Sequence, residues 1–203
     1  MNQSNHIYTK LGDFGSSLQG DQGTVSKNDP LLIAIADLEE VNALLGVVLA
    51  HSVGIEYGVK RLVKRLQNQL FDLGADLALP IQPNNPTSSV RIVEGNITYL
   101  EEQINFYEGK VKPQSSLILP GGTLVASYLH LARTVCRRAE RSVWLALESN
   151  TTTTNPLVGK YVNRLSDLLF ILGRFANLAH GDVQWNSGNY INEPSDYQIL
   201  IEL

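Results

Sequence analysis

The chain has 203 residues, 43% of them hydrophobic and 18% charged, with a formal net charge of −4. That size and apolar content suit one soluble domain with a substantial core. The acidic balance argues against nucleic-acid binding, so any cluster of arginines must serve something local. The longest apolar run, "LLIAIADL", is too short to span a bilayer, so no membrane is expected. The start, "MNQSNHIYTK", lacks the apolar core of a signal peptide. The single cysteine, Cys136, has no partner for an internal disulfide and reads as a small buried hydrophobe. A cytoplasmic protein is expected.

Residues 1–28 are polar and glycine-rich, with no helical period and no strand pattern. Asp29 then offers an N-cap and Pro30 a first helical position, opening a helix expected to reach about Ser52. A second helix fits about Glu56 to Ala78, carrying "VKRLVKRLQNQLFDLGADLA" and stopping before Pro80. "PIQPNNPTSS" reads as a loop. A third helix fits about Val90 to Tyr107, and a loop ending in "LPGG" follows. Helix four is expected over about Thr123 to Ser149. The polar "NTTTTN" interrupts the chain, helix five fits about Pro156 to Ala179, and residues 182–203 form a tail with little pattern beyond "QILIEL". Helices this long, with modest loops and no competing strand, predict an all-α, five-helix, up-and-down bundle in a single domain, 1–203.

Two helices carry polar faces beside their apolar seams. On helix four the seam is Val125, Leu129, Ala132, Cys136, Ala139, Val143 and Ala146, spaced four and three. Beside it fall His130, Arg133, Arg137, Glu140 and Arg141. Arginines at i, i+4 and i+8 repel by a few tenths of a kcal/mol per pair, so the row calls for an anion. On helix five the seam is Tyr161, Leu165, Leu168, Leu172, Phe175 and Ala179. A second stripe, Asn163, Asp167, Phe170, Arg174 and Asn177, repeats at the same spacing and implies a second interface or a site. Asp37, Glu39, Glu40 and Asn42 on helix one are candidate partners for a helix-four arginine.

The N-terminal "GDFGSSLQG" has the small residues and hydroxyls that admit a phosphate to backbone N–H groups. It is not a Walker A loop, because Asp21 stands where lysine is required. Lys10 and Lys27 at its two ends are compatible with an anion, and so is a plain flexible loop.

In the order "YTKLGDFG", "LFDLGADLA", "ILPGGT", "LHLARTVCRRAER" and "YVNRLSDLLFILGR", the chain resembles the ATP:cob(I)alamin adenosyltransferases of the propanediol-utilisation type over roughly residues 7 to 181. The resemblance implies transfer of the 5′-deoxyadenosyl group of ATP to the Co(I) of a reduced corrinoid, with release of tripolyphosphate. It implies a homotrimer with sites between subunits, and Mg²⁺ held largely by phosphate oxygens. A corrinoid reductase and an adenosylcobalamin-dependent enzyme are its implied partners. By motif match, Thr9, Lys10, Gly12, Asp13, Gly15, Ser16, Ser17 and Lys27 line the phosphate loop. Arg137, Glu140, Arg141 and Asn163 complete the ATP set. Leu117, Ser166 and Phe170 fall on the corrinoid side. Transfer should depend on Arg133, Arg137 and Glu39, with Glu39 pairing to Arg133.

Several positions depart from the family pattern. Glu39 replaces an aspartate, Leu31 an arginine after "DP", Ser17 a threonine, and Leu117 the phenylalanine before "ILPGG". "LQGDQGTVS" lacks the usual arginine. Those departures keep open a non-catalytic relative that binds corrinoid or nucleotide as carrier or sensor, and a purely structural bundle.

Overall fold

The computed structural model describes residues 7–18, 23–53, 55–79, 81, 90–150 and 154–188. Five helices dominate: α1 (Pro30–Ala50), α2 (Tyr57–Ala78), α3 (Glu94–Glu108), α4 (Leu124–Ser149) and α5 (Leu157–Ala176). α1, α2, α5 and α4 form a closed ring of packed neighbours, and α3 lies against the outside of α5. The all-α bundle expected from the helical pattern is what the chain forms.

The helix starts follow from local chemistry. Asp29 accepts the Leu31 N–H at 2.9 Å, and Pro30 begins α1. At the start of α4, the Thr123 hydroxyl oxygen accepts the Ala126 N–H and itself donates to the carbonyl of Ala176, at the end of α5. The two helices are thereby stapled antiparallel. The expected seams are the core: Val125, Leu129, Ala132, Cys136, Ala139, Val143 and Ala146 of α4 meet Tyr161, Leu165, Leu168 and Leu172 of α5, all buried. Each large aliphatic side chain removed from water there contributes about 1.5–3 kcal/mol.

One buried acid knits three segments. Asp76, near the end of α2, is wholly inaccessible. It accepts from Arg91 Nη1 at 2.6 Å, from the Ile92 N–H at 2.7 Å and from Asn155 Nδ2 at 2.7 Å. Asn155 also accepts the Leu157 N–H and so caps α5. This closed network is the physical content of "LFDLGADLA".

Three expectations are corrected. The N-terminal segment contains an antiparallel hairpin, β1 (Ser16–Leu18) with β2 (Thr24–Ser26), whose strands are too short and polar to show an alternating pattern. α3 begins at Glu94 rather than Val90, because Arg91 and Ile92 are engaged by Asp76, and Asn96 accepts the Val93 N–H to start the helix there. α5 ends at Ala176, so Ala179 is not on its seam. There Asn177 turns inward, accepting the Thr123 N–H and donating to Gly121 O. A Cβ at Gly122, which holds φ +98°, would lie 2.3 Å from Asn177 Oδ1, so this "PGG" turn requires glycine. The "PNNPTS" part of the expected loop, the first three threonines of "NTTTTN" and the late "QILIEL" lie outside the described residues.

Candidate functional site

The arginines of α4 divide by one residue of helical rotation. Arg138 turns to α1, where it pairs with Glu40 and with Asp37, its Nε 3.6 Å from the Asp37 carboxylate. Ser142, one turn on, donates to the same Asp37. Arg133 and Arg137 turn the other way and form no ion pair among the described residues. The acids of α1 therefore neutralise Arg138. Glu39 is exposed and without a hydrogen bond or ion pair among the described residues, so the expected Glu39–Arg133 pair does not form within one chain. Adjacent residues on α1 point about 100° apart, so Glu39 looks away while Asp37 and Glu40 stand on the side of α4.

On the α4–α5 face, Glu140 accepts from Asn163 Nδ2 at 2.9 Å, and Asn163 Oδ1 accepts from Arg164, whose Nε is held by Glu101 of α3 at 2.9 Å. The chain of bonds orients Glu140 and Asn163 together beside the Arg137 row. Arg141 folds back, its Nη1 donating to the Arg137 carbonyl at 3.1 Å. Partial desolvation between the helices pushes the Asp167 carboxyl above the usual range. Glu140 adds to that, against the pull of Arg164, Arg137 and Arg133. Asp167 is a site residue that the motif match did not supply, although it stood in the second stripe of helix five.

Beside this face opens a cavity of about 530 Å³, lined by Arg133, Asp167, Phe170 and Arg174, by Ile104 and Glu108 of α3, and by the loop through Gln114. Arg133 lies over the Phe170 ring, 5.3 Å from its centroid. The edge of Phe170 meets buried His130, at 6.2 Å between ring centroids. The wall combines an aromatic plate, a cation and an acid, which suits a large, flat, partly polar ligand. At its far end the stripe is structural: Arg174 is buried and donates to Asp182 and to the Lys112 carbonyl.

Leu117 and Ser166 fall outside that cavity's wall. Leu117 is exposed, on a loop whose backbone pairs with residues 183–185 through Leu119 N–H to Val183 O and Trp185 N–H to Leu117 O. Val183 and Trp185 extend this exposed apolar edge, and nothing in the sequence singled them out. Ser166 is buried, and its hydroxyl donates to the Asn163 carbonyl one turn back on α5, at 2.9 Å.

The N-terminal loop makes its own cavity of about 630 Å³, lined by Thr9, Lys10, Gly12, Asp13, Ser16, Ser17 and Lys27 among others. Gly12 is pressed by the Lys27 side chain: a Cβ there would lie 3.2 Å from Nζ and 2.9 Å from the Ser16 carbonyl. Lys27 thus arches over the loop. Gly15 shapes the hairpin, its carbonyl accepting the Lys27 N–H, and does not line the cavity. Among the described residues the loop cavity is lined by positions 8–27 alone, with no residue of the α4–α5 face in its wall. Ile7 and Phe14 on this arm are almost wholly exposed.

Residues 7–176 match the family Cobalamin adenosyltransferase. The corrinoid adenosyltransferase of Mycobacterium tuberculosis is 43% identical over 182 residues, covering 90% of this chain and 93% of that protein. The human corrinoid adenosyltransferase is 33% identical over 180 residues, 87% of this chain and 70% of that protein. Among solved structures, a variant of the PduO-type ATP:corrinoid adenosyltransferase of Lactobacillus reuteri, complexed with cobalamin and ATP, superposes with a TM-score of 0.80. It shares 34% identity, over 90% of this chain and 97% of that one. With the motif residues on the loop and on the α4–α5 face, and similarity along nearly its whole described length, the chain belongs to the cobalamin adenosyltransferase family.

Proposed function

We infer that this chain transfers the 5′-deoxyadenosyl group of ATP to the cobalt of a reduced corrinoid. The observation that carries the reading is the open arginine face of α4 beside an aromatic-walled cavity. Such a site suits a reaction in which both reactants are ligands. Co(I) supplies the electron pair that forms the Co–C5′ bond, the C5′–O bond breaks, and tripolyphosphate leaves with that bond's electrons. The protein's part is to hold the reactants in line and to offset the leaving charge. Arg137, with Arg141, Glu140 and Asn163, holds the nucleotide. Lys10, Lys27 and the hydroxyls of Thr9, Ser16 and Ser17 cradle the phosphates. Phe170 and Leu117 bound the corrinoid.

The site is assembled between copies of the chain in a homotrimer. The support is physical: a loop cavity apart from the arginine face, and Ile7 and Phe14 left bare on the arm that carries it. Glu39 meets Arg133 across that boundary. Mg²⁺ takes its ligands from phosphate oxygens and water, with Asp13 the acid in the loop cavity. A corrinoid reductase supplies Co(I), and an adenosylcobalamin-dependent enzyme consumes the product, in the cytoplasm. No helix among the described residues is long and apolar enough to cross a membrane.

Anaerobic incubation with ATP, Mg²⁺ and chemically reduced cobalamin tests the activity by the absorbance change of Co–C bond formation. Turnover is expected. Corrinoid or ATP binding without turnover would instead mark a carrier or sensor. Light scattering tests the assembly, and a stable monomer at micromolar concentration would remove it.

A further inference from the structure

The most concentrated positive charge that adenosyl transfer leaves unused lies on the other side of α3 from the corrinoid cavity. Lys60, Arg61, Lys64 and Arg65 occupy two successive turns of α2 in a chain of net charge −4. Lysine repeats against lysine and arginine against arginine at i, i+4, where like charges repel. None of the four forms an ion pair among the described residues. Every other arginine outside the α4 row and this cluster is tied to an acid: Arg91 to Asp76, Arg164 to Glu101 and Arg174 to Asp182.

The cluster borders a cleft. α2 and α3 both pack on α5 without packing extensively on each other, and the space between them holds about 400 Å³. Arg61 and Arg65 form one wall, Tyr99 and Gln103 the other, Leu62 lies on α2 between the arginines, and Tyr57 stands at the start of the helix. Among the described residues no carboxylate is part of its lining, and Glu56 stands at the rim beside Gly58. The Arg65 guanidinium lies over the Tyr99 ring, 3.6 Å from its centroid, which fixes the plane of the group and leaves its N–H edge free. Arg61 sits one turn away, about 6 Å along the helix axis, so the two cations can take neighbouring groups of one extended anion.

We propose that this cleft is a second anion site, binding a ligand with at least two adjacent phosphoryl groups, separate from the site of adenosyl transfer. Paired guanidiniums supply the charge-assisted bonds, the Tyr99 phenol and Gln103 amide supply neutral donors, and exposed Tyr57 offers a flat face to a base. The ligand is therefore an inorganic oligophosphate or a nucleoside polyphosphate. The two sites lie on different faces of α3: Ile104 and Glu108 line the corrinoid cavity, Tyr99 and Gln103 the cleft.

Calorimetric titration of the whole protein with inorganic tripolyphosphate, and separately with ATP, tests the site without needing turnover. A failed transferase reading would therefore leave this result standing by itself. The wild type should show a class of sites, steeply weakened by salt, that survives in Arg137→Ala. In the Arg61→Ala/Arg65→Ala double variant that class should weaken at least tenfold, while adenosyl transfer at saturating substrate stays unchanged. Tyr99→Phe should keep most of the affinity and Tyr99→Leu should lose severalfold, because only the latter frees Arg65. Tighter binding of ATP than of tripolyphosphate identifies a nucleotide as the natural ligand, and the reverse an inorganic chain. An unchanged isotherm in the double variant overturns the proposal. So does a loss no larger than that from removing Lys110 and Lys160, whose charges already face acids.

Discussion

Two polar regions of this bundle are built on opposite plans. Around Asp76 the buried groups answer one another: both carboxylate oxygens are used, by Arg91, Ile92 and Asn155, and Asn155 is used again to cap α5. On the α4–α5 face, Arg133 and Arg137 meet no carboxylate at salt-bridge distance among the described residues, and Asp167 is held above its ordinary range by desolvation. A closed network stabilises the fold and has nothing left for a ligand. An open one costs the fold a little repulsion and leaves charge available to an incoming anion. Substitutions in the two regions should therefore separate stability from chemistry.

The largest effect is expected in the closed region. Asp76→Ala takes the carboxylate from Arg91, which keeps the carbonyls of residues 76 and 79, and from Asn155, which keeps the Ile92 carbonyl, and it leaves the buried Ile92 N–H without an acceptor. Breaking such a buried pair costs about 3–5 kcal/mol. Urea unfolding should show the midpoint falling sharply, while the fraction that remains folded transfers adenosyl groups at near-normal rate. An unchanged midpoint would mean that the network is not what holds α2, α3 and α5 in register.

The open region should behave in reverse, and two adjacent arginines make the cleanest contrast. Removing one preorganised cation that faces developing charge costs about 10²–10³ in rate. Arg137→Ala should lose that much turnover with its unfolding curve intact. Arg138→Ala breaks the pairs with Asp37 and Glu40, but these are largely exposed and worth about 0–1 kcal/mol. Its turnover should stay near normal. Equal losses in the two variants would show that the row acts by general charge, and the division between them would fail.

That division also marks what the sequence could tell. Asp29, Pro30 and the four-and-three seams of α4 and α5 are local signals, and the helices and core followed from them. The acids of helix one were recognisable as arginine partners, but the choice between Arg133 and Arg138 depends on how α4 is rotated against α1, and one residue is worth about 100°. Asp76 holding Arg91 and Ile92 extended acts across 15 and 16 residues, so a helix extrapolated from Val90 overran its start. The hairpin strands, "SSL" and "TVS", are too short for any period to register. Arg174 and Asn177 shared a polar stripe with Asn163 and Asp167, yet the "LPGG" loop and Asp182 cover the first two. A heptad pattern cannot say which of its members another loop will bury.

A smaller effect belongs to the exposed edge of the open region. Leu117, 63% exposed on its loop, stands where the resemblance implies a phenylalanine on the corrinoid side. A rigid ring buries more area against a flat ligand, on the order of 1 kcal/mol more, and better excludes a lower ligand from cobalt. Leu117→Phe should raise kcat/KM about fivefold with cobalamin, by the same energy. With cobinamide, which lacks the nucleotide base, the gain should be smaller. Equal gains on both corrinoids, or a loss on both, would put the ring's role elsewhere.

The smallest effect lies at the back of the open region, where His130 is buried against Phe170. Burial lowers its pKa from the usual 6.5, Arg133 one turn away lowers it further, and Asp182 alone pulls it back. The imidazole is thus neutral in the fold at neutral pH, and its Nε2 has no hydrogen-bond partner among the described residues. As pH falls below 6.5 the unfolded chain takes up a proton that the folded chain refuses. Stability from this group is therefore complete above that pH and is lost as pH drops toward the depressed folded value. Asp167 works in the opposite sense: its raised carboxyl favours the fold at low pH, and that advantage disappears as pH rises through the raised range. Thermal unfolding should show the melting temperature declining below about pH 6.5, the ordinary histidine range. His130→Gln, which cannot titrate, should flatten that decline, and Asp167→Asn should steepen it by removing the opposing group. The same slope in wild type and His130→Gln would assign the acid sensitivity to carboxylates elsewhere in the bundle. A flattened slope would place it under Phe170, making the open face the first part of the bundle to loosen in acid.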